Sequence, residues 1–150
     1  MRIVALSLLL LGALPVAAQN LSEDQFNQVF NNVSHEYTIC AAYFTVVAAA
    51  LIESGGAETG EEYIASSKTA LQFAVTAGKA GRSEEMAPKV TKARLEIEAQ
   101  AMMNEIENDA GNISLLYAKH SERCIWVMNN AIALLEEWTT RILNQQMPEG

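Results

Sequence analysis

Residues 22–53 read SEDQFNQVFNNVSHEYTICAAYFTVVAAALIE. Ser22 with Gln25 three residues later is a capping box: the hydroxyl accepts from the Gln25 amide, and the Gln25 side chain reaches back. Glu23 and Asp24 put negative charge where the helix dipole is positive. Phe26, Phe30, Val33, Tyr37, Cys40, Phe44, Val47 and Leu51 then recur at spacings of four and three, an apolar seam along one helix face. Ser54-Gly55-Gly56 ends the helix, since glycine takes the left-handed C-cap conformation readily. The stretch predicts one long helix that other elements must cover. Its most apolar run, 39–52, is shorter than the roughly 20 residues a membrane span needs and reads as a buried core helix.

Upstream, residues 1–18 read as a cleavable signal peptide. Arg2 supplies a positive start, 3–14 is apolar, Pro15 breaks the helix, and Val16-Ala17-Ala18 offers small residues for cleavage. The expected organisation is a signal peptide over 1–18 and a single helical-bundle domain over 19–150, periplasmic or secreted, with no stable membrane anchor after cleavage. The whole chain has ten basic and eighteen acidic residues, a net charge of −8. Loss of Arg2 takes the mature value to −9, which argues against nucleic acid or anionic lipid as a partner.

Downstream, Ala, Glu, Leu and Met dominate, a helical composition. A second helix is expected from Thr59, capped by Thr59-Gly60-Glu61-Glu62, to 78–81, with Ile64, Leu71 and Val75 inward. That stripe looks too thin to cover the first helix. A third is expected to start at Glu84 or later, with Ser83 as its cap and Pro88 tolerated in its first turn; its run over 88–108 carries Leu95, Ala99, Met102 and Ile106 inward and Glu96, Glu98, Glu105 and Glu107 on a solvated face. Asn108-Asp109-Ala110-Gly111-Asn112 reads as a tight turn with Asn112 capping the next helix, or as a soft point inside one long helix; the turn chemistry favours the first. A fourth helix follows over 113–145, with the stripe Ile113, Leu116, His120, Cys124, Val127, Ala131, Leu135, Trp138 and Ile142. The fold class is therefore all-α: an antiparallel bundle of three to four helices with one disulfide.

Cys40 and Cys124 are the only cysteines. In an exported chain an even, minimal count predicts a disulfide. In an up-down bundle the first and last helices are antiparallel neighbours. Cys40 then lies roughly 20 Å and Cys124 about 16 Å below the same end, within about one turn of each other. Both occupy seam positions.

Each cysteine has a histidine upstream, His35 and His120. Their levels differ by roughly 13–14 Å plus a few ångström from the cysteine offset, too far for a single zinc site whose donors all lie within about 2.3 Å of the ion. Neither histidine has a glutamate three residues before it, against the di-iron bundle pattern. There is no GxSxG, P-loop, GxGxxG or CxxC. No catalytic residue, metal site or cofactor is expected, and the chain is read as non-enzymatic. His120, inside an apolar stripe, is expected to hydrogen-bond Tyr37, Tyr43 or Glu36. It is also the one weak candidate for contact with a cofactor or small molecule. Three triplets, Asn20-Leu21-Ser22, Asn32-Val33-Ser34 and Asn112-Ile113-Ser114, match the N-glycosylation pattern, which matters only in a eukaryotic secretory route.

The expected role is protein binding or envelope structure. The partner, a second copy or another protein, would sit on the apolar seam of the first helix. The alternative is a cofactor or small-molecule binding bundle using the interior near His120.

Overall fold

A computed structural model describes residues 21–145. The signal peptide expected over 1–18 lies outside the described residues. Five α-helices follow in order: α1 Glu23–Glu53, α2 Ala57–Gly81, α3 Met86–Glu105, α4 Ser114–Asn129 and α5 Ala131–Asn144, with a short 3-10 turn at Ala110–Asn112. No strand occurs among the described residues.

α1 is the central element, and its ends form as its sequence dictates. The Ser22 hydroxyl accepts from the Gln25 amide at 3.2 Å, and the Ser22 amide donates to the Gln25 side chain at 2.8 Å. At the other end Gly55 takes φ +89°, a left-handed conformation suited to glycine, and the Gly56 amide closes onto Leu51 O at 2.8 Å. Val33, Tyr37, Cys40, Phe44 and Val47 of the seam are buried, together with Val29, Ala41, Ala42, Tyr43, Val46 and Ala48. α1 is the one described helix long and apolar enough to cross a membrane, and most of that stretch is buried inside the bundle.

The expected thinness of the second helix is corrected. α2 buries Gly60, Ala70, Ala74, Ala77, Gly78 and Gly81, while Ile64, Leu71 and Val75 are only half-buried. Small side chains let two helix backbones approach, and Tyr63, Leu71 and Phe73 pack against the core beside them. A Cβ on Gly81 would meet Asn27 O at 2.9 Å and Phe30 Cβ at 3.0 Å. Hydroxyls use the same closeness: Ser34 Oγ donates to Ala74 O at 2.8 Å, and Ser67 Oγ to Ala41 O at 3.0 Å. The seam of α1 is thus covered within the chain, which removes the reason for placing a partner there. α2 also starts earlier than Thr59. Gly56 is its N-cap, with no side-chain cap, so the Thr59 box does not act.

The expected bundle of three to four helices is corrected to five. Asn130 interrupts the predicted fourth helix with φ −131° and ψ 51°. Its Nδ2 donates to Trp126 O at 2.8 Å, and its own carbonyl accepts from the Leu134 amide at 2.9 Å. The side chain closes one helix while the backbone opens the next. The turn between α3 and α4 forms as expected, with Glu107 and Asn108 both left-handed at φ 55° and Asp109 Oδ1 accepting from the Gly111 amide at 2.8 Å. Asn112 does not cap α4; its Nδ2 donates to Ile106 O at 3.3 Å.

Cys40 and Cys124 form the disulfide, with Cα atoms 5.2 Å apart. Tyr43 meets Tyr117 on one side of it and Glu36 meets Arg123 on the other, so α1 and α4 run antiparallel. A disulfide is the usual state of cysteines in an oxidising compartment.

Candidate functional site

The region around His120 draws on four helices. α1 brings Tyr43, α2 brings Tyr63, α3 brings Glu98 and Glu105, and α4 brings Tyr117, His120 and Ser121. The imidazole lies 6.0 Å from the Tyr43 ring, and Tyr43, Tyr63 and Tyr117 pack edge-on with centroids 6.4 Å apart in each pair. His120 Nε2 is buried without a hydrogen-bond partner, 3.9 Å from Glu105 Oε2. That oxygen already accepts from Lys119 Nζ at 2.6 Å.

Of the three partners expected for His120, only Tyr43 touches it, through ring packing. Tyr37 packs instead on Phe73 at 5.3 Å, and Glu36 belongs to Arg123. The acid facing His120 comes from α3. Glu98 and Glu105, expected on a solvated face, turn inward, and Glu98 lies 3.8 Å from His35. The two glutamates are seven residues apart, roughly 10 Å along the helix, which keeps the two histidines apart as their levels imply. Among the described residues no three His, Cys, Asp or Glu side chains are placed to hold a metal.

The electrostatics favour neutral groups. Burial, then the Lys119 charge, hold the His120 pKa below the usual histidine value, although Glu105 and Glu98 pull the other way. Burial pushes the Tyr43 and Tyr117 phenols up, and the Tyr37 phenol up to about 12. At neutral pH the imidazole of His120 is uncharged beside the Tyr43 and Tyr117 phenols. The cluster packs α1, α2 and α4 together.

Two features were not foreseen. Arg123 bridges Glu36 of α1 at 3.2 Å and Glu137 of α5 at 3.0 Å, and its guanidinium covers the Trp126 ring at 4.7 Å. Beyond it, the outward side of α4 carries a second stripe: Leu115, Ala118, Glu122, Ile125 and Asn129, at spacings of three and four, and Ile132 follows on α5 past the Asn130 break. Leu115 is 50% exposed, Ile125 57% and Ile132 58%. A shallow groove follows it past Tyr117, Ser121 and Trp126. The period was readable in the sequence, but the inward stripe through His120 and Cys124 drew the reading first.

Compared with known proteins, the chain matches no family model, no curated protein and no solved structure.

Proposed function

We propose that the chain is an exported, non-enzymatic helical bundle that binds a protein partner through the outer face of α4. The exposed Leu115–Ile125–Ile132 stripe carries this reading. Within α4 it has helical spacing, Ile132 of α5 adds a further exposed residue past the Asn130 break, and it presents branched apolar side chains that a solvated helix does not need.

The occupant is an amphipathic helix with a basic residue beside its apolar face. Glu122 stands in the middle of the stripe and makes no ion pair, so it favours a cation opposite. A second copy is disfavoured. Two chains of net charge −8 repel, and an antiparallel pairing about the stripe's centre brings Glu122 of one copy onto the apolar stripe of the other.

Site-specific cross-linking tests the surface. A photo-reactive side chain at Ile125 in the exported protein is expected to give a discrete adduct, and one at Thr69 on α2 none. Equal labelling at both positions, or no adduct at either, sinks the reading. An adduct of twice the chain mass points to a second copy instead.

A further inference from the structure

Four arginines lie in the described chain, and they divide evenly. Arg123 and Arg141 pair with Glu36 and Glu137. Arg82 and Arg94 have no carboxylate partner among the described residues, in a chain with eighteen acidic residues against ten basic ones. The acids nearest in sequence have other partners: Glu84 has Lys79, Glu85 has Lys89, and Glu98, on the same face of α3 as Arg94, has His35.

The two unpaired arginines share one corner, where α1, α2 and α3 meet. Arg82 caps the end of α2 and folds back over Gly78. A Cβ at Gly78 would lie 3.7 Å from Arg82 Nη1, 3.2 Å from Ser34 Oγ and 3.3 Å from Ala87 Cβ. Arg94 Nη1 reaches Asn31 O at 3.4 Å. Ala87, Thr91, Arg94 and Glu98 form the inward face of α3, and Asn31, Ser34 and His35 the facing side of α1. Burial, and then the charge of Arg94, lower the Arg82 pKa.

Four buried polar atoms in this corner have no hydrogen-bond partner: Asn31 Oδ1, His35 Nδ1, Arg82 Nη1 and Thr91 Oγ1. Thr91 is only 1% exposed. Buried polar atoms without a partner are rare in folded proteins, and each calls for one. Water satisfies dipoles but does not neutralise two half-buried guanidiniums in one corner. An anion does both, and two guanidiniums with a hydroxyl suit the several oxygens of a phosphate.

We propose that the α1–α2–α3 corner binds a phosphate group through Arg82, Arg94 and Thr91. Arg82 Nη1 and Thr91 Oγ1 donate to its oxygens from inside, and Arg94 closes over it from α3. The half-exposed Arg82 side chain swings outward to admit it. Bound phosphate ties α3 to the rest of the bundle. The same chemistry is offered by free phosphate and by a phosphate headgroup at a membrane surface.

The test uses the full mature chain in sodium phosphate against sodium chloride of equal ionic strength and pH. A saturable rise in melting temperature specific to phosphate is expected. In Arg82→Gln and Arg94→Gln the apparent affinity for phosphate falls at least about tenfold, while Arg141→Gln keeps it. The phosphate-dependent increment is the readout, so a variant that is merely less stable does not confuse the result. Flotation with phosphatidylcholine vesicles, with and without phosphatidic acid, separates the sources. Arg82-dependent flotation assigns a headgroup, and a melting shift without flotation assigns the free ion. Equal shifts in chloride and phosphate, or a shift that survives in Arg82→Gln, overturn the proposal and assign the orphaned atoms to water.

Discussion

At pH 7 the His120 imidazole is neutral, because its pKa is held below the ordinary value first by burial and then by Lys119. The unfolded chain has no such restraint and takes up the proton at a pKa near 6.5. As pH falls below that value, the unfolded state binds more protons at this residue than the folded state. The contribution is therefore present above about pH 6.5 and lost as pH falls from there toward the lower folded pKa. One proton limits the slope to about 1.4 kcal/mol per pH unit. Urea unfolding of wild type between about pH 8 and pH 5 is expected to show this loss, and His120→Gln to flatten it. Identical slopes in the two proteins count against the assignment. The same scale separates the glycosylation triplets. Ser34 is 1% exposed with its hydroxyl committed to Ala74 O, so folding closes the Asn32 triplet, and Asn112 is tied to Ile106 O.

Between elements, two contacts set the arrangement: the close approach of α1 and α2, and the Arg123 bridge. In the first, a Cβ at position 81 meets backbone atoms of α1, Asn27 O at 2.9 Å and Asn31 N at 3.1 Å, which have little room to yield. Gly81→Ala is expected to cost roughly 1–3 kcal/mol in urea unfolding, against the gain a helical glycine-to-alanine change ordinarily brings. At the second, Arg123→Met is expected to cost about 1–2 kcal/mol. The value is modest because the guanidinium is 37% exposed and partly screened. Adding Glu36→Gln recovers part of the loss, since Glu36 no longer faces Glu137 unpaired; a double-mutant cycle measures that coupling. These contacts also explain what the sequence disclosed. α1 was legible because its cap, seam and glycine stop agree. α2 was misjudged because its fully buried positions are alanine and glycine, and because Tyr63 and Phe73, which pack on α1, lie beside the stripe through Ile64, Leu71 and Val75. The break at Asn130 was hidden because the inward stripe Val127, Ala131, Leu135 keeps its spacing across it. The Arg82–Arg94 corner was out of reach because its residues come from three helices and follow no motif. His120 and the disulfide were legible because both lie on apolar stripes that must face inward.

For the whole molecule, the Cys40–Cys124 disulfide joins positions 84 residues apart. A loop of that length restricts the unfolded chain by roughly 4–5 kcal/mol in the chain-entropy model, and measured losses on removing such bonds commonly fall at about 2–5 kcal/mol. The loss is not spread evenly. α1, α2 and α3 pack on one another, whereas α4 and α5 are held mainly against α1. Besides the disulfide, the hydrogen bonds that tie α4 and α5 to the bundle are few and half-exposed, chiefly those of Arg123 and Lys119. Reduction therefore loosens α4 and α5 first, as a local unit. The two tryptophans report this directly, because Trp126 lies on α4 and Trp138 on α5 and the chain has no others. In the Cys40→Ala/Cys124→Ala variant, or in reductant, tryptophan emission is expected to shift red at a lower urea concentration than the loss of far-ultraviolet helix signal. The oxidised protein is expected to lose both together at a higher midpoint. Coincident transitions in the reduced protein would mean that the five helices unfold as one unit with or without the bond. A midpoint unchanged by reduction would mean that the bond contributes nothing to stability.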